Sequence, residues 1–330
     1  MPEKVTIATV AQHAQVSRQT VSNVLNAPHI VREETRRRVQ EAIAALGYRA
    51  NQAARQMRTG RSKLIAVRIE PTRDGINGSV LDRFLHGLTE TAEAAGYRTM
   101  LYTAADTARE IATYDDLLGS YDLDGFVLTG TDHGDPRTAW LAGRGVPFVT
   151  FGRPWDDLDA HCWVDVDGAA GTAEATRHLL AAGHRRIAFI GWPAGSGVGD
   201  DRCSGWRETL RAAGVDPTGL HREATDGIAE GERHARDLLA AAPAPTALVC
   251  ASDSLALGAL QAVREVEPAV PVIGFDDTPV AAAVGLTSIS QPLGEAAARC
   301  VDLLTAVLDG TRGAPAPVLL QPALVRRQTA

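Results

Sequence analysis

Long apolar runs and clustered cysteines are both missing from this chain. The four cysteines, Cys162, Cys203, Cys250 and Cys300, lie far apart, with no Cys-x-x-Cys pair and no clustered histidines. Such spacing supports neither a disulfide framework nor a metal site, and it fits a reducing compartment. No stretch approaches the roughly 18 consecutive apolar residues that span a bilayer, and the N-terminus has no apolar run of signal-peptide length. The expectation is a cytoplasmic protein, neither exported nor membrane-spanning, without metal or cofactor. A Gly-x-Ser-x-Gly elbow, a P-loop and metal-spaced His, Cys or Asp groups are also absent, which argues against an enzyme. Solenoid-type repeats do not occur.

What is present is ordinary globular composition with an uneven charge. The hydrophobic fraction is 45% and the charged fraction 22%, and 330 residues suggest about two domains. The net charge is −7, yet residues 1–63 hold 11 Lys and Arg against four acids. That is a local surplus of seven, so the remainder carries −14. A basic head on an acidic body is expected when one part meets phosphates and the other does not. Arginine outnumbers lysine along the whole chain, which reads as codon bias and says nothing about bidentate contacts.

The head reads as three short helices. Ile7, Val10, Ala11 and Ala14 repeat at i, i+3, i+4, i+7 behind Thr6, a suitable N-cap, so 7–14 is an amphipathic helix. Gln15-Val16 makes the turn, and Ser17 can cap a second helix whose Val21, Val24 and Leu25 face inward. Arg18, Gln19, Ser22 and Asn23 then fall on the outer side. Arg suits guanine edges, and Gln and Asn suit adenine edges, in a major groove wide enough for one helix. A third helix buries Val39, Ala42, Ile43 and Leu46, with Glu33 and Glu34 in its first turn and Gly47 suited to its C′ position.

After Gly60-Arg61-Ser62, apolar strands alternate with helical stretches. Strands are expected at 64–69, 98–103, 125–129, 147–151, 161–166, 186–191, 247–251 and 270–275. Helices include about 80–95, 168–182, 202–213, 231–241, 253–265 and 293–308. Strand–helix alternation implies parallel sheets covered on both faces, with material for two. Ligands bind such sheets past the carboxyl ends of the strands. The polar residues placed there are Arg153, Ser196 with Arg202, Ser252-Asp253 and Asp276. Arg and Asp offer paired donors and acceptors that suit vicinal hydroxyls. Asp253 could equally cap the helix that begins there.

Several motifs together resemble the lac repressor/gal repressor family of bacterial regulators. In the head they are Thr6-Ile7-x-x-Val10-Ala11, Val16-Ser17-x-x-Thr20-Val21-Ser22-x-Val24-Leu25-Asn26, Thr35-Arg36-x-Arg38-Val39, Ala42-Ile43-x-x-Leu46-Gly47-Tyr48 and Asn51-x-x-Ala54-Arg55. In the body they include Phe151-Gly152-Arg153, Gly183-His184-Arg185-Arg186-Ile187, Arg202 with Gly205-Trp206, Ser252-Asp253-x-x-Ala256-x-Gly258, Gly274-Phe275-Asp276-Asp277 and Ser290-Gln291-Pro292. The resemblance covers nearly the whole chain.

The resemblance implies an N-terminal all-α helix-turn-helix head, residues 1–50, and a hinge helix and linker at 51–62. Next comes an α/β body, 63–330, like periplasmic sugar-binding proteins, with two doubly wound parallel-sheet lobes and a cleft between them. The N-lobe would take about 63–160 and 292–320, the C-lobe about 161–289 and 321–330, with crossovers near 160–163, 287–292 and 318–322. It further implies that Arg18, Gln19 and Asn23 read bases, within a DNA-contacting set of Thr6, Ser17, Arg18, Gln19, Thr20, Ser22, Asn23, Asn26, Arg55 and Met57. The effector set is Arg153, Trp192, Ser196, Arg202, Asp226, Ser252, Asp253 and Asp276, with Arg202 and Asp276 foremost. The implied partners are pseudo-palindromic operator DNA, a small-molecule effector and a second copy in a homodimer.

The departures from the family pattern are specific. Gln15 replaces the usual turn glycine, Asn23 a common Arg, Ala50 the proline before the hinge, and Met57 the hinge leucine. Met57 is still apolar enough to wedge into a minor groove. Asp226 stands where the family often has a cleft aromatic, and Trp192 could supply the missing ring face or simply pack at the lobe edge. The leading expectation is a repressor released from its operator by a sugar or oligosaccharide. A nucleobase-responsive repressor using its ligand as corepressor is the alternative. A solute-binding protein of a sugar importer is disfavoured by the head.

Overall fold

In the computed structural model, which describes residues 5–48, 60–70, 76, 78–264, 266, 268–310 and 316–330, a threonine opens the first helix. The Thr6 hydroxyl accepts from the Thr9 amide, and the Thr9 hydroxyl accepts from the Thr6 amide, a reciprocal cap. Helix α1 (Ile7–His13) leads into a tight turn in which Gln15 holds a φ of 53°. Ser17 caps α2 (Arg18–Asn26) by accepting from the Thr20 amide at 3.0 Å. A 3-10 turn at Pro28–Ile30 precedes α3 (Glu33–Leu46), which stops where Gly47 takes a φ of 60°, open to glycine without a Cβ penalty.

The head closes on its own small core. Val10, Ala11, Ala14, Val21, Val24, Val39 and Ala42 are buried together, with Ile43 and Leu46 at the margin. Leu25 does not join them as expected, being 37% exposed. It stands one turn on from Val21, at the edge of the apolar stripe, and the head core closes on the Val21–Val24 side. Residues 1–62 form one unit and 63–330 another.

The larger unit alternates strands and helices. In chain order they are β1 (Leu64–Ile69), α4 (Gly78–Ala94), β2 (Arg98–Thr103), α5 (Thr107–Tyr121), β3 (Gly125–Thr129), α6 (Pro136–Gly143), β4 (Phe148–Phe151) and β5 (Trp163–Val166). Then come α7 (Gly168–Ala181), β6 (Ile187–Gly191), α8 (Gly197–Ala212), β7 (His221–Glu223), α9 (Ile228–Leu239) and β8 (Ala247–Cys250). The chain ends with α10 (Asp253–Val263), β9 (Val272–Asp276), α11 (Pro279–Ala283), β10 (Thr287–Ser290), α12 (Leu293–Leu308), β11 (Val318–Leu320) and β12 (Ala323–Val325).

Two six-stranded sheets result, β11-β5-β4-β3-β1-β2 and β12-β10-β9-β8-β6-β7. The first is parallel throughout; in the second, β12 runs antiparallel to β10. Side-chain alternation assigns the faces of the first sheet. Ile65, Val67 and Val127 pack with Phe84 and Leu88 of α4 and Val301 of α12, whereas Ala66, Phe126 and Leu128 pack with Tyr114 of α5 and Leu141 of α6. Strands apolar on both faces are what a doubly covered parallel sheet requires. The second lobe is centred on Phe189, Trp206, Leu248, Ile273 and Phe275. Trp206 is fully buried and donates to the Ile187 carbonyl at 3.1 Å, so it is a core residue.

The first passage between lobes departs from expectation. β5 pairs with β4 and β11, so Trp163, Val164 and Val166 belong to the first lobe and the chain crosses at Asp167, not at 160–163. The later passages fall between β10 and α12 and between β11 and β12. In each sheet the strand order reverses direction beside β1 or β6, the kind of point where ligands lodge at carboxyl ends.

Candidate functional site

The outer face of α2 carries the residues suited to base edges. Arg18, Gln19 and Asn26 are exposed, and Ser22 and Asn23 are half-buried. Nε2 of Gln19 donates to Oδ1 of Asn23 at 2.9 Å, and Nδ2 of Asn26 donates to the Ser22 carbonyl at 2.6 Å. The hydroxyls of Ser17 and Thr20 lie 2.9 Å apart at the start of this helix. The turn before it is fastened by Arg38 of α3, which donates to the carbonyls of Ala14 and Gln15 at 2.5 and 3.3 Å. Arg36 is ion-paired with Glu33 one turn back. Arg55 and Met57 lie outside the described residues.

In the second lobe, six of the eight effector candidates gather at the carboxyl ends of β6, β8 and β9. Arg202 of α8 is only 5% exposed. Its Nη1 donates to the Ala251 carbonyl at 2.5 Å and stands 3.4 Å from Oδ1 of Asp276, the last residue of β9. The guanidinium carbon sits 3.7 Å from the Phe275 ring centre and 5.1 Å from that of Trp192. Asp276 holds a φ of 109° and accepts from Nε2 of Gln291 at 2.8 Å. Burial pushes its carboxyl up, to about 8, against the pull of Arg202; the charges of Asp253 and Asp226 push the same way as burial.

The neighbouring groups hold this pair in place. Ser252 caps α10 by accepting from the Leu255 amide at 3.2 Å, and its hydroxyl donates to Asp226. Asp253 has no exposed surface: it accepts from the Thr278 amide at 2.7 Å and the Ser288 hydroxyl at 2.6 Å. Burial raises its pKa to about 6, and the hydrogen bonds from Ser288 and Thr278 oppose the rise. Through these two bonds Asp253 braces α10 against β10. Ser196 is the N-cap of α8, accepting from the Gly199 amide at 3.3 Å.

Arg153 belongs to the opposite lobe. Its Nε donates to Asp165 at 2.6 Å, and its Nη2 reaches Asp201 of α8 at 3.4 Å. Asp201 in turn accepts from the Ala169 amide at 3.0 Å, so one carboxylate joins α7, α8 and the first lobe. Beside it the Trp155 indole lies against Gly197, where a methyl group would run into the ring. The Arg202–Asp276 pair lies wholly within the second lobe; Arg153–Asp201 is the one that spans the cleft. Gln291, Asp201, Trp155 and Phe275 were not among the expected site residues. Phe275 and Gln291 have a local signal, standing in the Gly274-Phe275-Asp276-Asp277 and Ser290-Gln291-Pro292 motifs.

Comparison with known proteins places this arrangement. Residues 6–51 match the bacterial regulatory proteins of the lacI family, and residues 176–330 match the periplasmic binding protein-like domain. The HTH-type transcriptional regulator CelR of Thermobifida fusca is 32% identical over 98% of both chains. The chain belongs to the LacI family. A solved complex of the regulator CelR with cellobiose is 30% identical, covers 99% of this chain and 100% of its own, and superposes with a TM-score of 0.74. The lac repressor dimer bound to operator and the anti-inducer ONPF, 27% identical over 99% of both chains, gives 0.84. LacI-family proteins are regulators of transcription, and the helix-turn-helix head and two-lobed α/β body described above are theirs. Among the described residues, no helix is long and apolar enough to cross a membrane.

Proposed function

We propose that this protein is a repressor that binds a pseudo-palindromic operator as a homodimer and leaves it when a small sugar or oligosaccharide fills the cleft. The carrying observation is the Arg202–Asp276–Gln291 cluster, a buried set of fixed donors and acceptors at strand carboxyl ends. Neutral polyols match such a set, since each hydroxyl both donates and accepts. The cellobiose bound to the CelR relative supports the class. Asp226, standing where a ring could have stacked on a flat nucleobase, favours the sugar over the corepressor reading.

The head supplies the other half. A recognition helix covers only a few base pairs, and two-fold protein symmetry reads two-fold DNA symmetry. Arg18, Gln19 and Asn23 face bases in this reading, Thr6, Ser17, Thr20, Ser22 and Asn26 position the helix, and Arg55 and Met57 act at the operator centre. A ligand moves the DNA-bound equilibrium only through its differential affinity for two body states. Arg202→Ala or Asp276→Ala should therefore abolish the response to sugar while operator affinity without sugar stays within about twofold. Melting curves check that each variant is folded. Loss of operator binding in a folded variant would contradict this division of labour.

A further inference from the structure

Two N–H donors in the wall of the second lobe lack an acceptor. Nε of Arg202 and Nε1 of Trp192 are buried, and neither has a hydrogen-bond partner among the described residues. Trp192 directly follows β6 and Arg202 lies on the next helix, α8, where a doubly wound sheet presents its ligand site. Three other indoles are satisfied: Trp155, Trp163 and Trp206 donate to the carbonyls of Thr131, Leu158 and Ile187 at 3.1, 2.9 and 3.1 Å. An unpaired buried donor is costly, so two side by side point to acceptors that arrive from outside.

The rings decide which part of Trp192 is available. Its side chain packs on the second-lobe core, and the Arg202 guanidinium lies over the ring with its carbon 5.1 Å from the centre. The same guanidinium rests on Phe275 at 3.7 Å, which fixes its plane. The ring of Trp192 is thus engaged by protein, and its polar edge is left over. On the face that Arg202 covers, a sugar ring could stack only by displacing it.

We propose that Trp192 determines effector specificity by donating its indole N–H to an oxygen of the ligand, with the Nε–H of Arg202 donating beside it. This rests on the sugar reading above. Asp276 and Asp226 then take hydroxyl protons on the other side. The ligand class is a neutral saccharide presenting acceptor oxygens toward α8 and hydroxyl donors toward β9.

The test uses Trp192→Phe, which keeps an aromatic ring and deletes the N–H. Wild type and variant are titrated calorimetrically with glucose, galactose, maltose, cellobiose, hypoxanthine and guanine. The tightest wild-type binder should lose about three- to tenfold in affinity in the variant, the range of one hydrogen bond. Operator affinity without ligand should not change. In protein labelled with ¹⁵N-tryptophan, the indole resonance that vanishes in the variant should shift when that ligand is added to wild type. Equal affinity for a sugar with an unmoved resonance overturns the donor role and leaves the sugar reading standing. Binding of a purine alone, weakened in the variant, does the reverse, because purine ring nitrogens can accept the same proton.

Discussion

Gln19 and Asn23 hold one another: the Gln19 amide donates to the Asn23 side-chain oxygen at 2.9 Å, one turn along the exposed face of α2. Side chains four apart on a helix are neighbours, and this bond limits the rotamers of both. Two groups suited to adenine edges are therefore pre-ordered before DNA arrives. Replacing Gln19 or Asn23 by Ala should cost about 1–3 kcal/mol on the preferred operator and relax the preference at one position. Because the two residues touch, the double variant should lose less than the sum of the singles. Site selection with each variant, followed by affinity measurement, checks both statements. Strict additivity would mean that the pair does not act together on DNA.

The turn before α2 carries strain that a single change should remove. Gln15 holds a left-handed φ of 53°, a region that costs an L-residue about 1–2 kcal/mol. Gln15→Gly relieves this but adds chain entropy to the unfolded state worth about 0.5–1 kcal/mol. The net expectation is a head more stable by about 0.5–1 kcal/mol. Gln15→Val, β-branched, should destabilise it instead. Thermal melting followed by circular dichroism of the intact protein, with the head transition identified by its loss of operator binding, decides the order.

Buried carboxylates should give the body a pH-dependent stability. The carboxyls of Asp276 and Asp253 are raised to about 8 and about 6, burial being the main cause in each. A carboxyl raised in the folded state binds more protons there than in the unfolded chain, so its contribution to stability falls as pH climbs from about 4 toward the folded value. Asp276→Asn mimics the neutral form and removes its share of that slope. The Tm of Asp276→Asn relative to wild type should rise steadily between about pH 4 and 8 and level off above. A difference that shrinks over this interval would mean that Arg202 outweighs burial.

The head is legible in the sequence because capping and helical periodicity are local. Thr6, Ser17, Val10, Val21 and Val39 sit where those rules put them; Leu25 has the right spacing but lies at the edge of the stripe, which periodicity alone does not mark as exposed. Central strands such as β3 and β6 are equally plain, being apolar on both faces. The three-residue strands β7, β11 and β12 have no periodicity to read, and β5 changes lobes only through its pairing with β4 and β11. The cleft shows the same divide. Asp276 ends β9 and Arg202 lies on the helix that follows β6, positions visible in the chain order. Gln291 and Asp201 reach the site across 15 and 48 residues from their partners Asp276 and Arg153, a proximity no local pattern encodes.

Ligand control of DNA binding is tested most directly by one titration. The operator defined by site selection, fluorescently labelled, is held with the protein at a concentration giving half saturation, and cellobiose and other mono- and disaccharides are added in turn. At least one saccharide should lower operator affinity by tenfold or more, in a saturable way, and should fail to do so with Asp276→Ala. If no saccharide changes operator affinity while a purine base strengthens it, the cleft serves a corepressor and the induction reading is wrong.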